Sequence, residues 1–275
     1  MTFADSRHHR HSRALPLVSS LVAALLLLGG CAVYNEECAR FMDDPDGVAG
    51  YLSGEVSIAR EEVRLRDNAI GQLMAEAYYH AFDGVQSAQN QRPQLAIVNG
   101  GSIRSDGLCE TRTSLPKGEV KRKVLRDILP YDNTVVLTSV TLQELKEIFE
   151  HSMATYSIQS PAGAYLQVAG VRVTIDCSQR IGARIQSIEL CRVSEANGCD
   201  PAAPANPNEI FIALDSYIFG GGDNFRFPAQ EPLRSASNYN FEVVAQYFSE
   251  AYPKDKPLAN TATSRVTLIN CGSAE

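Results

Sequence analysis

The sequence predicts an α+β domain, and three observations carry that prediction. Helical and strand-like segments follow one another in mixed order, without the regular alternation of a doubly wound sheet. The neighbouring stretches "LQVAGVRVTID" and "ARIQSIELC" alternate apolar and polar residues and read as a hairpin. The apolar runs "LAIVNGG" and "TVVLTSV" have the length of buried strands.

The chain has 275 residues, and its first 30 read as a leader. Arg7, Arg10 and Arg13, with three histidines, form a basic start before the apolar run Ala14 to Leu28. That run is too short and too abruptly ended for a comfortable membrane span. It closes as Leu28-Gly29-Gly30-Cys31, which resembles a bacterial lipobox and implies lipidation of Cys31. Ala32 in the next position resembles an outer-membrane address, facing the periplasm. Residues 31–51, polar around "DDPDG", read as a tether, and 52–271 as one folded domain.

Within the domain, Asn68 to Phe82 repeats apolar residues at helical spacing through Ile70, Leu73, Met74, Ala77 and Ala81. "LAIVNGG" is a strand ending in glycines. "TVVLTSV" is another, followed by Thr141-Leu142-Gln143-Glu144, a capping box that opens a helix running through His151. The hairpin comes next, then the loop "DPAAPANPN" and the strand-like "EIFIALDSYI", which leads into "YIFGGGDNF". Asn240 to Tyr252 is a further amphipathic helix, and "SRVTLI" a closing strand.

The formal net charge is −7, and removing the basic leader leaves the remainder more acidic still. A surface of that sign argues against a nucleic-acid polymer as partner, though not against a small anion held by local arginines. Seven cysteines are present. With Cys31 assigned to lipid, six remain, an even number in an exported chain, so up to three disulfides are expected. Cys191 and Cys199 flank the short polar loop "CRVSEANGC" and are the expected pair. The other four allow three pairings.

Three stretches place glycine or proline breaks beside polar or aromatic groups at strand ends. The first is Asn99-Gly100-Gly101-Ser102-Ile103-Arg104, the second Leu129-Pro130-Tyr131-Asp132-Asn133, the third Tyr217 to Phe225. Read singly, each is more often an ordinary turn. In this order they resemble the C-terminal, substrate-binding domain of the 5′-nucleotidases and UDP-sugar hydrolases, where the runs read roughly N/S-G-G-G-I-R, L/Q-P-F-G-N and F-x-x-x-G-G-D-G-F/Y. "VRLRDNAIGQLMAEA", "FEHSM" and "AGAYLQVAGVRVTID" resemble further family segments, over about Tyr51 to Asn270.

The resemblance implies a four-layer α/β/β/α fold and a site residue by residue. Tyr131 and Tyr217 stand where family aromatics sandwich a nucleobase, a grip that needs only π-faces. Asp223 stands where a ribose hydroxyl is bound. Arg60, Arg64 and Arg104 match arginines that contact phosphate or a terminal group of the substrate. Asn99, Asn133 and Gly163 match smaller contacts. Five positions depart from the family pattern. Tyrosine replaces phenylalanine at both stacking positions, and Asp132, Asn224 and Ser102 each replace a glycine. The extra Gly220 makes Phe219 an alternative wall.

Family hydrolysis takes place in a separate two-metal domain with Asp, His and Asn ligands. Past the leader this chain has only His80 and His151, both at amphipathic helix positions, so neither catalytic residues nor metal or cofactor are expected here. No G-x-S-x-G elbow or phosphate loop occurs. The implied function is nucleotide or nucleoside binding without hydrolysis of its own, serving a separate metallophosphatase chain in 5′-nucleotide hydrolysis. The competing reading is an envelope scaffold or binding lipoprotein that binds no nucleotide.

Overall fold

The computed structural model describes residues 42, 44–83, 91–193, 199–201 and 206–272, with backbone alone for 192–193 and 199–201. The leader, the lipobox with Cys31, and the side chain of Cys199 lie outside the described residues.

The architecture is α+β. A five-stranded mixed sheet is built from β3 (Leu95–Asn99), β6 (Thr134–Val140), β7 (Leu166–Ala169), β11 (Ile210–Asp215) and β12 (Arg234–Tyr239), in the order β12-β6-β11-β3-β7. A four-stranded sheet is built from β8 (Val171–Asp176), β9 (Ile185–Val193), β10 (Cys199–Pro201) and β13 (Val266–Ile269), in the order β10-β9-β8-β13. Two small ribbons pair β1 (Val48–Leu52) with β5 (Gly118–Lys121), and β2 (Val56–Ser57) with β4 (Ser114–Leu115). The helices are α1 (Arg60–Val63), α2 (Ala69–His80), α3 (Arg122–Ile128), α4 (Leu142–Ala154), α5 (Ser216–Phe219) and α6 (Asn240–Ala251). Among the described residues no helix is long and apolar enough to cross a membrane.

The central strands of the five-stranded sheet are buried on both faces, which is why they are mostly apolar. Along β3, Ala96 and Val98 join one core with α2 and α6, while Leu95 and Ile97 join a second. In β6, Val135 and Leu137 face the first core, Val136 and Val140 the second. The second core is shared with α4, through Leu145, Ile148, Phe149 and Met153, and with β8 and β9 of the other sheet. Layers therefore run from the α2–α6 pair, through the five-stranded sheet, to α4 and the four-stranded sheet.

Local signals placed most elements where the sequence expects them. Asn68 caps α2 by accepting from the backbone N–H of Ile70 and Gly71. Thr141 and Glu144 form the capping box of α4. Three expectations need correction. The tether gives way to the domain at Val48, because pairing of β1 with β5 buries Ala49 and Leu52. "LQVAGVRVTID" is two strands in different sheets. The chain turns at Gly170, whose φ of +73° and close approach to the Gln94 carbonyl suit glycine alone. "EIFIALDSYI" ends as a strand at Asp215, which caps the short helix α5, so Tyr217 rides on a helical turn.

Cys177 and Cys271 are joined by a disulfide that ties β8 to the end of β13. Cys109 and Cys191 each take part in a disulfide as well. Antiparallel pairing sets Pro201 opposite Cys191 and Cys199 opposite Val193, so Cys199 lies on the strand beside Cys191.

Candidate functional site

Strand direction gathers the predicted residues at one end of the five-stranded sheet. β11 runs antiparallel to β6, with Asp215 opposite Val135, so the end of β11 meets the start of β6. β3 runs parallel to β11, which brings Asn99 to the same end. β7 runs antiparallel to β3, with Leu166 opposite Asn99, and this brings Gly163 there too. β12 ends there as well, with Tyr239 opposite Thr134. Loops at one end of a rigid sheet are a common way to assemble a site from distant parts of a chain.

Tyr131 and Tyr217 stand on the adjoining ends of β6 and β11. The segments are stitched by the Thr134 N–H, which donates to Ser216 Oγ at 3.1 Å. Both rings are unusually open to solvent, 46% and 45% exposed. The register between Tyr217 and Phe219 is resolved by their surroundings. Phe219 turns into the second core against Phe227, with ring centroids 5.8 Å apart. Tyr217 stays outside, and its hydroxyl donates to Asp223 Oδ1 at 3.1 Å.

Asp223 is held from three directions. Asn99 Nδ2 donates to its Oδ2 at 2.7 Å, and the Tyr217 hydroxyl accepts from its backbone N–H at 3.2 Å. His151 Nε2 lies 2.8 Å from its carbonyl oxygen, and the His151 ring packs edge-on to Phe225. Asp223 and Asn224 have φ of 49° and 62°, a left-handed backbone that Asp and Asn tolerate better than most residues. That explains how Asn224 stands in for glycine. Gly163 packs against Gly101, and its carbonyl accepts from the Gly101 N–H at 2.9 Å. A Cβ on Gly163 would sit 3.3 Å from Asp223 Oδ2.

The other departures are equally local. Ser102 is buried; it donates to Asn99 Oδ1 at 2.5 Å and lies 3.2 Å from Asp215 Oδ2. Burial, opposed by the hydrogen bonds it accepts, pushes the Asp215 carboxyl up to about 6. Asp132 is paired with Arg126 at 2.7 Å, so its added charge is neutralised beside Tyr131. Asn133 is half-buried, and its carbonyl accepts from the Asn240 N–H at 2.7 Å.

The arginines converge from α1 and from the turn after β3. The Val63 carbonyl lies so close to Gly100 that a Cβ there would be 2.3 Å away, which sets Arg64 beside the first motif. Burial, then the charges of Arg60 and Arg104, hold the Arg64 pKa below the ordinary arginine value. Arg64 is almost fully buried, and its Nε has no hydrogen-bond partner. Arg104 pairs with Asp106 at 2.6 Å, and Arg60 is exposed.

Sequence reasoning missed four contributors. His151 reads as a surface histidine, yet it braces the Asp223 loop. Asp215 and Ser102 form a buried polar base beneath it. Tyr239 is 44% exposed at the same sheet end, on a strand whose polar sequence "RSASNY" hides it. Pairing partners decide all of these, and no local pattern could reveal them. Among the described residues no group of three or more His, Cys, Asp or Glu comes together to hold a metal ion.

Comparison with known proteins identifies the family and the fold. A family model described as 5′-nucleotidase, C-terminal domain, matches residues 48–230. A 5′-nucleotidase of Diplobatis ommata is 27% identical over 254 residues, covering 88% of this chain and 40% of the relative. The human 5′-nucleotidase is 31% identical over 206 residues, covering 73% and 33%. The chain thus spans two fifths or less of these curated relatives. The crystal structure of a 5′-nucleotidase precursor from Thermus thermophilus superposes with a TM-score of 0.68 at 22% identity, over 90% of this chain and 43% of that one. A Thermus thermophilus sulfate thiohydrolase also shares the fold, with a TM-score of 0.56 at 16% identity over 89% and 39%. The fold by itself therefore does not choose a ligand. The extent of the family match does settle descent: this chain belongs to the 5′-nucleotidase C-terminal domain family.

Proposed function

We propose that the domain binds a nucleotide or nucleoside at the end of the five-stranded sheet. The observation that carries this reading is the convergence of exposed Tyr131 and Tyr217 with the Asn99–Asp223 pair and the Arg60, Arg64 and Arg104 group. Two open rings suit the faces of a base. A carboxylate at their foot suits sugar hydroxyls, and a cluster of guanidinium groups suits phosphate. Asn133 and Gly163 complete the rim.

Phosphate hydrolysis, in this reading, is the work of a metallophosphatase acting on the ligand that this domain presents. This reading assigns no hydrolytic step to the domain itself. The domain is held at the envelope by lipid on Cys31, and Cys31→Ser should move it from the membrane to the soluble fraction. Recovery of that variant with the membranes would count against the anchor.

Equilibrium binding of AMP, adenosine and a UDP-sugar to the purified protein tests the central claim. Binding is expected, and Tyr131→Ala and Tyr217→Ala should each weaken it by about 1–3 kcal/mol, the worth of one stacked base. Absence of binding by the unaltered protein removes the reading, and binding indifferent to both substitutions removes the two-ring grip.

A further inference from the structure

Asp215, at the end of β11, has no exposed surface, and its contacts dictate where protons must lie. Asn99 Nδ2 donates to Asp223 Oδ2 at 2.7 Å. A carboxylate accepts and does not donate, so this contact sets the orientation of the Asn99 amide. The amide oxygen is then directed at Ser102, whose Oγ is 2.5 Å away. An amide oxygen can only accept, so the single hydroxyl proton of Ser102 is committed to it. Ser102 Oγ also lies 3.2 Å from Asp215 Oδ2. With the hydroxyl proton spent, that contact is a hydrogen bond only if Asp215 carries a proton and donates it. Its other oxygen, Oδ1, accepts from the Ile218 N–H at 3.0 Å. Every donor then points the same way, from Asp215 to Ser102 to Asn99 to Asp223.

We propose that Asp215 is a positioning residue: it holds a proton that starts a one-way chain of hydrogen bonds through Ser102 and Asn99, fixing the Asp223 carboxylate for a ligand hydroxyl. The ligand part rests on the nucleoside-binding reading above, whereas the chain of hydrogen bonds stands on the geometry alone. When Asp215 loses the proton, Ser102 turns its hydroxyl to the new charge. Asn99 Oδ1 then loses its donor, and the hold on Asp223 slackens. The surroundings favour the proton. Asp215 is sealed from water, and Asp223 presents a like charge from the glycine loop. The phenols that face it are Tyr78 from α2 and Tyr217 from α5. Hydrogen bonds from the Ile218 and Tyr217 backbone work in the other direction, and burial outweighs them.

The test follows the Asn99 side-chain amide by 15N-edited NMR across about pH 4.5–7.5, with adenosine affinity measured in parallel. Adenosine suits the purpose because it carries no phosphate to titrate in that range. The Asn99 resonance is expected to shift with a midpoint near 6. Adenosine should bind about threefold to tenfold more weakly at the upper end, the worth of one hydrogen bond. Asp215→Asn keeps a donor toward Ser102 and an acceptor for Ile218, so both pH profiles flatten while tight binding persists. Ser102→Ala leaves Asp215 to titrate but silences the response at Asn99. An Asn99 signal that is flat in the unaltered protein overturns the proposal, as does one that titrates unchanged in Ser102→Ala. Adenosine that binds at no pH, while Asn99 still follows Asp215, overturns the nucleoside reading and leaves the proton chain in place.

Discussion

The Tyr217 hydroxyl and Asp223 hold each other in both directions, donating to Oδ1 at 3.1 Å and accepting from the backbone N–H at 3.2 Å. With Asn99 on Oδ2, both oxygens of the carboxylate are engaged by the protein itself. Each oxygen keeps a second lone pair, so a ligand hydroxyl at Oδ1 shares that oxygen with the phenol and competes with it for the same charge. Tyr217→Phe keeps the ring and removes the competitor. It should tighten adenosine binding up to about tenfold and leave 2′,3′-dideoxyadenosine unchanged. Calorimetric titration with the two nucleosides decides, and an equal effect on both would sink the idea.

Gly222 supports the same ring from below. A Cβ at this position would lie 2.5 Å from Tyr217 ring carbons, and the ring is exposed enough to move aside. Gly222→Ala is expected to lower nucleoside affinity several-fold while changing stability by under about 1 kcal/mol. Parallel binding and thermal-unfolding measurements separate the two effects. A large loss of stability would mean that the ring is not free to swing.

The buried Asp215 carboxyl makes stability depend on pH. Its pKa is raised from 3.8 to about 6, so the folded protein keeps a proton that the unfolded chain has already released between those values. The contribution is fully present below about 3.8 and declines as pH rises through about 6. At neutral pH it is lower by about 3 kcal/mol. Asp215→Asn should remove that slope and be the more stable protein at neutral pH. Urea unfolding at mildly acidic and neutral pH checks this, and a difference between the two proteins that stays constant with pH would contradict it.

Asp132 neutralises a guanidinium with little exposure of its own. The Arg126 side chain is 8% exposed, lies 4.8 Å above the Phe241 ring, and has an Nη1 without a partner. Asp132→Ala would take the partner of Nη2 as well. Asp132 is itself largely exposed, so water recovers part of the loss and about 1 kcal/mol is expected. Asp132→Asn retains an acceptor and should cost less. Thermal unfolding of the two variants provides the ranking, and the reverse order would refute the pairing argument.

Cys177 and Cys271 are 94 residues apart in sequence, so their bond removes much of the freedom of the unfolded chain. Replacing both by serine is expected to cost about 5 kcal/mol by the loop-closure estimate, seen as a lower urea midpoint with a steeper slope, because the released unfolded chain exposes more surface. An unchanged midpoint would show that β13 is held by its pairing with β8 alone.

The elements that depend on neighbours in sequence were legible without the fold. Asn68 and Thr141 start their helices by bonding residues two and three positions on. The three glycine and proline motifs, in order, carried the family and most of the proposed ligand contacts. Elements defined by a distant partner were not legible. Val48–Leu52 reads as tether until β5 pairs with it, and Gly170 reads as mid-strand until two sheets claim its two sides. His151 is one polar residue on an amphipathic helix until the glycine loop folds over it.

Sequence alone therefore determined the α+β class, the motifs and the chemical types at the site. Only the tertiary structure decided that Tyr217 and not Phe219 faces outward, that Asp132 is paired, and that Asp215 sits dry beneath Asn99. The physical reason is that burial and hydrogen-bond direction belong to pairs of residues. The partners of Asp223 lie 6, 72 and 124 positions away along the chain.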